Sequence, residues 1–329
     1  MAKIKKLAVL TSGGDAPGMN VAIRAVVRTA IYHGIEVVGV MEGYAGMIDN
    51  NFRPMQSRDV SDIIAKGGTI LKTARCEEFR TKEGRAKAYE NAKALGIDAL
   101  VVIGGDGSFS GAKLFSEEFD IPTVGIPGTI DNDLFGTDST IGYDTALNTV
   151  VSAIDKIRDT ATSHKRVFFV EVMGRDAGFL ALRSGIGSGA EAILIPEVHT
   201  PYDKLKQFLN DKTKGHKSSS IVIVAEGAEG MKEGGVFKLA ERVNEDYPEL
   251  DIRVSVLGHM QRGGAPSAFD RVLASQLGEA AVVALLDDQK SIMVGIQNSK
   301  ISHVPFNQAI KNKKNVNLDL LKLSEILSI

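Results

Sequence analysis

The sequence predicts an α/β chain with mainly parallel sheets, on three observations. Short runs rich in valine and isoleucine recur along it, segments of helical spacing separate them, and glycines and aspartates gather where the runs end. Runs that are apolar at consecutive positions suit strands covered on both faces, as in parallel sheets. Regular alternation of strand and helix is the pattern of α/β folds.

Seven runs carry the strand prediction: "KLAVLTS", "EVVGVM", "ALVVIGG", "TVGIP", "RVFFVEV", "IVIVAEG" and "VSVLGH". Between the first two, "NVAIRAVVRTAIYHG" has apolar positions at helical spacing, with Gly34 as its C-terminal cap. "GRAKAYENAKALG" repeats the pattern and stops at Gly96. "YDTALNTVVSAIDKIRDTA" is a long amphipathic helix, and the segment around residues 143 to 162 is expected to cross between two sheets. "NKKNVNLDLLKLSEIL" reads as a polar loop followed by a short amphipathic helix.

The 329 residues suffice for roughly two domains with a large core. The formal net charge of −2 gives no global field toward nucleic acid or an anionic membrane. The single cysteine, Cys76, excludes an intrachain disulfide and fits a reducing compartment. The apolar run near the N-terminus is too short for a signal h-region, and no segment reaches the apolar length of a membrane span. A cytoplasmic protein is the expectation.

Gly13-Gly14-Asp15, Gly104-Gly105-Asp106, Thr129-Ile130-Asp131, Met173-Gly174-Arg175 and Glu226-Gly227 all follow apolar runs directly. Open α/β sheets bind ligands at the carboxyl ends of their strands, so these residues fall where such a fold makes a site. In "LTSGGDAPGMN" the glycines let backbone amides approach phosphate oxygens, although a tight turn also selects glycine. "VVIGGDGSFSGA" brackets Asp106 with Gly104, Gly105 and Gly107, and adds Ser108. It lacks the G-x-G-x-x-G spacing of dinucleotide folds, and the chain has no Walker A motif. An acid inside a glycine loop makes sense if Mg²⁺ stands between it and the phosphates.

Phosphoryl transfer needs a metal, a base for the acceptor hydroxyl, and cations on the equatorial oxygens. Asp106 is the metal candidate and Asp131 the base candidate; turn chemistry and helix capping account for Asp133 better than for Asp131. Arg75, Arg166, Arg175, Arg253 and Arg262 are the cation candidates, since a guanidinium fork donates two parallel hydrogen bonds. Any one of them is more commonly a surface residue. Arg262 stands out within "GHMQRGG", ahead of His259, and Glu226 is placed to accept from a sugar hydroxyl or to pair with an arginine. Arg24 and Arg28, four apart on one helix face, suggest either a solvated face or an anion pocket. The histidines show no zinc-type spacing.

"LTSGGDAPGMN", "IGGDGS", "PGTIDND", "EVMGR" and "LGHMQRGG", in this order, resemble the signature loops of bacterial ATP-dependent 6-phosphofructokinases. The resemblance implies transfer of the γ-phosphoryl group of ATP to the 1-hydroxyl of fructose 6-phosphate in glycolysis. Asp131 then matches the general base, Thr129 and Ile130 its neighbours, and Asp106 the Mg²⁺ ligand. Gly14, Tyr44, Arg75, Cys76 and Gly105, Asp106, Gly107 and Ser108 fall at nucleotide positions, with Arg75 also on the transferring phosphate. Met173, Gly174, Arg175, Glu226, His259, Met260, Gln261 and Arg262 match the sugar-phosphate site, and Arg166 and Arg253 match arginines donated by a neighbouring subunit.

The family is a homotetramer of chains with two similar Rossmann-like α/β domains. By resemblance the nucleotide-binding domain spans 1–141 plus about 260–311, and the sugar-phosphate domain 142–259 plus about 312–329. An effector site for ADP or phosphoenolpyruvate is implied at Arg24, Arg28, Arg58, Arg158, Gly189, Glu191, Lys214 and Lys217. One departure is that Ser57 occupies a position where the family has an effector arginine, with Arg58 beside it; Lys165 stands where regulated members often carry an acid. Pyrophosphate-using relatives carry an acid and a lysine where this chain has Gly107 and Gly128, which favours ATP. Three alternatives are a pyrophosphate-dependent enzyme, a lipid- or NAD-kinase-like enzyme with the same "GGDG", and a non-catalytic nucleotide sensor. The ordered sugar-phosphate motifs count against the second, and intact Asp106, Asp131 and Arg75 against the third.

Overall fold

The computed structural model describes residues 4–161, 166–213, 219–228 and 234–327. Along the chain run the strands β1 (Lys6–Thr11), β2 (Glu36–Val40), β3 (Phe52–Met55), β4 (Ala99–Gly104) and β5 (Thr123–Pro127). Then come β6 (Arg166–Val172), β7 (Ala192–Leu194), β8 (Ser219–Ala225), β9 (Asp251–Val256), β10 (Ile292–Gln297) and β11 (Lys300–Pro305). The helices are α1 (Met19–Tyr32), α2 (Gly43–Ile48), α3 (Lys82–Ala94), α4 (Asp106–Phe119), α5 (Tyr143–Ala161) and α6 (Phe179–Gly187). They continue with α7 (Tyr202–Thr213), α8 (Gly235–Asp246), α9 (Ala268–Leu286), α10 (Phe306–Lys311) and α11 (Leu318–Leu327).

The chain forms two compact units. The first comprises the described residues of Met1–Ile130, Leu134–Thr145 and Arg262–Lys314; the second comprises those of Asp131–Asp133, Ala146–Gln261 and Asn315–Ile329. In the first unit one sheet has the order β11-β10-β5-β4-β1-β2-β3. Its inner pairs are parallel, and only β2–β3 and β10–β11 are antiparallel. In the second unit the sheet β7-β8-β6-β9 is parallel throughout.

Every residue of β4 and β5 is buried, as expected for strands covered on both faces. The first unit packs Phe109 and Phe115 of α4 with Phe306, Tyr44 and Phe79 into one aromatic-rich core. Each fully buried ring of this kind contributes about 1.5–3 kcal/mol by removal from water. In the second unit Phe169, Val170, Val222, Ile223 and Leu180 are fully buried.

All seven sequence-predicted runs contribute strands, and the predicted long helix coincides with α5, which follows β5 and precedes β6 in the chain. Gly34 and Gly96 take left-handed backbone just beyond α1 and α3, at φ 74° and 68°. Four strands were outside the expectation. β3 and β11 are edge strands with largely exposed, polar-rich patterns, and β3 carries Pro54, which only an edge tolerates. β7 has three residues, too few for a pattern. β10, "IMVGIQ", did carry an apolar run of the same kind as the others.

Candidate active site

Strands β1, β4 and β5 lie side by side in parallel, so their carboxyl ends bring three loops of the first unit to one edge. After β4 the chain turns directly into α4, whose first residue is Asp106 and whose cap is Gly105. The first-turn amides of such a helix lack intrahelical acceptors and point toward an incoming anion. Ser108 is 4% exposed, and a Cβ on Gly13 would sit 3.3 Å from its Oγ. The loop after β1 therefore packs against the start of α4. A Cβ on Gly14 would lie 2.5 Å from an Arg262 guanidinium nitrogen, so the glycine permits that approach.

Two further side chains hold the segment leading to Arg75. Asn20 is buried and donates to the carbonyls of Lys66 and Gly67 at 3.1 Å each, while its carbonyl accepts from Ile70 N–H at 2.7 Å. Thr11 Oγ1 donates to Lys72 O and meets Thr69 Oγ1 at 2.9 Å. Arg75 itself is exposed and Cys76 half-buried against the aromatic core. Tyr44 is buried, stacked on Phe79 at 4.0 Å between centroids, with its hydroxyl donating to Ser108 O. Burial pushes that hydroxyl's pKa well above its ordinary value. Tyr44 thus supports the loop from beneath.

The loop after β5 is strapped by a second segment. Thr129 N–H donates to Ile141 O at 3.1 Å, Ile141 N–H to Pro127 O at 2.9 Å, and Thr140 Oγ1 to Thr129 O at 2.5 Å. Gly128 N–H donates to Gly104 O at 3.0 Å, which joins this loop to the one after β4. Asp131 and Asn132, at 5% and 4% exposure, are buried, and Asn132 has φ 54°, a left-handed conformation that asparagine tolerates. Ile130 is buried and Asp133 half-buried.

The two glycines bearing on donor choice differ. A Cβ on Gly107 would meet nothing within 4 Å, so space beside it is open. A Cβ on Gly128 would come 3.1 Å from both Ile103 Cγ2 and Met19 Cε. A side chain at position 128 would thus require Ile103 and Met19, both buried, to give by a few tenths of an ångström.

In the second unit the ends of β6, β8 and β9 carry the other candidates. Glu226 Oε1 accepts from Gly174 N–H at 3.2 Å and Arg175 N–H at 2.6 Å, holding a turn in which Arg175 has φ 53°. Desolvation raises the pKa of Glu171 above its ordinary value, with the neighbouring Glu226 charge adding to the shift. Gln261 is fully buried, accepts from Met173 N–H at 3.2 Å and donates to Gly258 O at 3.0 Å, so its amide braces backbone. His259 and Met260 beside it are exposed. Arg166 and Arg253, on the adjacent strands β6 and β9, share one carboxylate: Asp251 accepts from Arg166 Nε at 2.7 Å and pairs with Arg253 at 2.8 Å. Asp251 was not singled out from sequence, where it is one acid in "NEDYPELDIR".

The effector candidates divide between the units. Arg24 and Arg28 lie on α1, and Arg58 is exposed in a short 3₁₀ turn, Ser57–Val60, that packs against α1. Arg28 Nε is buried with no hydrogen-bond partner among the described residues. In the second unit Arg158 donates to the carbonyls of Ser188 and Gly189 at 2.9 and 2.8 Å, and sits 3.5 Å from Glu191 Oε1. Glu191 Oε2 accepts from Ile221 N–H at 2.7 Å. Lys165, Lys214 and Lys217 lie outside the described residues.

Among the described residues there is no cluster of three or more His, Cys, Asp or Glu side chains suited to a metal, and no helix long and apolar enough to cross a membrane. A lone carboxylate in a glycine loop fits Mg²⁺ that arrives with nucleotide phosphates and keeps waters, in contrast to a metal caged by protein.

The chain matches the family model described as Phosphofructokinase over residues 6–285. It is 58% identical over 329 residues to the ATP-dependent 6-phosphofructokinase 2 of Bacteroides thetaiotaomicron, covering 100% of both chains. Identity to the ATP-dependent 6-phosphofructokinase of Cytophaga hutchinsonii is 56%, over 99% of this chain and 98% of the relative. Among solved structures, phosphofructokinase from Saccharomyces cerevisiae superposes with a TM-score of 0.88 at 42% identity, over 93% of this chain; that overlap spans 45% of the yeast chain.

Proposed function

The chain belongs to the phosphofructokinase family, and on that premise we propose how its residues divide the work of an ATP-dependent 6-phosphofructokinase. The enzyme transfers the γ-phosphoryl group of ATP to the 1-hydroxyl of fructose 6-phosphate, a step of glycolysis. Nucleotide phosphates are received by Gly14, Gly105, Gly107 and Ser108 at the loops after β1 and β4, with Arg75 neutralising the transferring group. Asp106 would hold Mg²⁺, which supplies charge neutralisation of the phosphates when bound. Met173, Gly174, Arg175, Glu226, His259 and Arg262 hold the sugar phosphate, with one Glu226 oxygen engaged by the turn and the other available to a hydroxyl. Met260 and Gln261 complete that segment, Gln261 by bracing it.

Asp131 takes the proton from the 1-hydroxyl as that oxygen attacks phosphorus, and Thr129 and Ile130 set its position. The observation that carries this assignment is the strapping of Thr129 beside the glycine loop. A Cβ on Gly105 would sit 3.8 Å from Thr129 Cβ, and Gly128 is hydrogen-bonded to Gly104. Asp131 follows the strapped Thr129 by two residues, and a base carried at the end of a strapped loop needs little reorganisation to react.

We further propose a cytoplasmic homotetramer in which Arg166 and Arg253, tethered by Asp251, serve a neighbouring subunit's sugar phosphate. Arg24, Arg28, Arg58, Arg158, Gly189 and Glu191, with Lys214 and Lys217, form an effector site for ADP or phosphoenolpyruvate. The buried, unpartnered Arg28 Nε supports an anion there.

A coupled assay with fructose 6-phosphate, comparing ATP with pyrophosphate, tests the donor. Turnover with ATP and none with pyrophosphate is expected; the reverse would overturn it. Replacing Asp131 with Ser should lower kcat by about 10²–10⁴-fold with little change in KM. Near-normal kcat in that variant would remove Asp131 from the role of base.

A further inference from the structure

Asp270, in the first turn of α9, is a fully buried carboxylate to which phosphoryl transfer assigns no role. Its Oδ1 accepts from Gly142 N–H at 2.9 Å, and its Oδ2 from Thr145 N–H at 2.8 Å and Thr145 Oγ1 at 2.5 Å. Gly142 immediately precedes α5, and Thr145 is its third residue, so the acceptors serve amides that α5 itself leaves unsatisfied. An acid normally caps its own helix; here the cap of α5 comes from a helix 125 residues away.

The network closes on itself. Ser267, the cap of α9, donates its N–H to Thr145 Oγ1 at 2.9 Å and its hydroxyl to Asp144 at 2.5 Å, while Asp270 N–H donates to Ser267 Oγ at 3.2 Å. Two helix N-termini thus converge on one buried negative charge, which favours the ionised form, although burial pulls the carboxyl pKa above its ordinary value.

What this network holds is the strap over the reacting loop. Thr140 and Ile141 make the bonds to Pro127 and Thr129, and Gly142, the next residue and the end of the strap, is bonded directly to Asp270. The loop after β1 closes on the same point. Gly18 has φ 106°, and a Cβ there would stand 2.6 Å from Ile141 Cγ2 and 3.7 Å from Asp270 Cβ. One carboxylate therefore stands where the first glycine loop, the strap and two helix starts meet.

We infer that Asp270 is a positioning residue for phosphoryl transfer: by anchoring Gly142 and Thr145 it sets the strap that holds Thr129, two residues ahead of Asp131, in register with the nucleotide loops. The inference rests on the role given above to Thr129 and Asp131. Displacing a reacting group by about 1 Å costs on the order of 10²-fold in rate, so the effect falls on kcat.

The test uses full-length Asp270→Asn, which keeps shape but turns an NH₂ toward Thr145 or Gly142, beside Thr145→Val and Thr145→Ser. For Asp270→Asn the expected result is a drop in kcat of about 10–100-fold, with KM for ATP and fructose 6-phosphate within about threefold of wild type. Amide hydrogen exchange at Thr129 and Ile141 should quicken, while far-UV circular dichroism and elution volume stay unchanged. Thr145→Val should move kcat and exchange in the same direction by less, and Thr145→Ser, which keeps the hydroxyl, should restore both. If kcat stays within about twofold while exchange quickens, or falls while exchange at Thr129 and Ile141 is unchanged, Asp270 does not act through the strap. Should Asp270→Asn not fold, the Thr145 pair decides by the same criteria. Asp131→Ser, assayed in parallel, reports separately on the base: if it retains kcat, the assignment beneath the inference fails, whatever Asp270 does.

Discussion

Gly107 and Gly128 look alike in sequence and differ in what surrounds them. Open space lies beside Gly107, whereas Ile103 and Met19 close against Gly128. Gly107 sits within the first turn of α4, where aspartate is acceptable to the helix. Gly107→Asp should therefore fold normally and place a negative charge against the phosphates, lowering kcat/KM for ATP by at least about tenfold, or 1.4 kcal/mol. Gly128→Ala should instead cost about 1–3 kcal/mol in stability through overpacking. Steady-state kinetics with ATP and thermal melts of both variants check the pair. A Gly107→Asp enzyme with unchanged kcat/KM for ATP would show that the open space is not used by the nucleotide.

At the scale of elements, α4 has to be held firmly, because its N-terminus is the nucleotide loop and its body fills the core. Arg85 of α3, with its side chain 7% exposed, makes a two-bond fork to Glu118 near the far end of α4, at 2.7 Å to each oxygen. The same guanidinium donates to Phe79 O and Arg80 O, so a neutral partner at position 118 would leave a buried charge short of its counterion. The hydrogen bond from Arg85 holds Glu118 below the usual carboxylate range. A lowered folded-state pKa stabilises the fold above the unfolded-state pKa, and that contribution is lost as pH falls through the lowered one. Glu118→Gln should reduce stability by about 1–2 kcal/mol at neutral pH. The gap to wild type should close as both are titrated into acid, below about pH 4. Denaturant unfolding at a series of pH values measures it; a gap independent of pH would mean that the fork contributes shape alone.

For the whole molecule, the pair Arg166 and Arg253 poses the question of assembly. Asp251 holds the two guanidinium groups together on neighbouring strands, in the manner of a preformed anion clamp. If that clamp serves a neighbouring subunit, a chain lacking the base and a chain lacking the clamp can each supply what the other has lost. Mixing Asp131→Ser with Arg253→Ala after joint unfolding and refolding should then restore activity well above either parent. Mixtures no more active than the sum of the parents would place the arginines in service of their own chain.

Most of the fold was legible because it is written locally. Runs such as "ALVVIGG" and "TVGIP" are apolar at every position, since β4 and β5 are covered on both faces, and "YDTALNTVVSAIDKIRDTA" repeats with the period of the helix that it forms. Glycine and aspartate at strand ends likewise marked Gly105, Asp106 and Asp131 as candidates, because backbone approach to phosphate selects small residues wherever it occurs. The edge strands β3 and β11 escaped notice because one side of an edge faces water and keeps a mixed composition. Asn20, Asp251 and Asp270 escaped for a different reason: each has a side-chain partner far along the chain, 46, 85 and 125 residues away, at separations where spacing carries no signal. Local chemistry selected the residue types and the elements. Only the folded chain could show that Ile103 and Met19 crowd Gly128 while the space beside Gly107 is open, and that a carboxylate on α9 caps α5. Buried polar groups must find partners wherever the topology puts them, and topology is not a property of any short stretch of sequence.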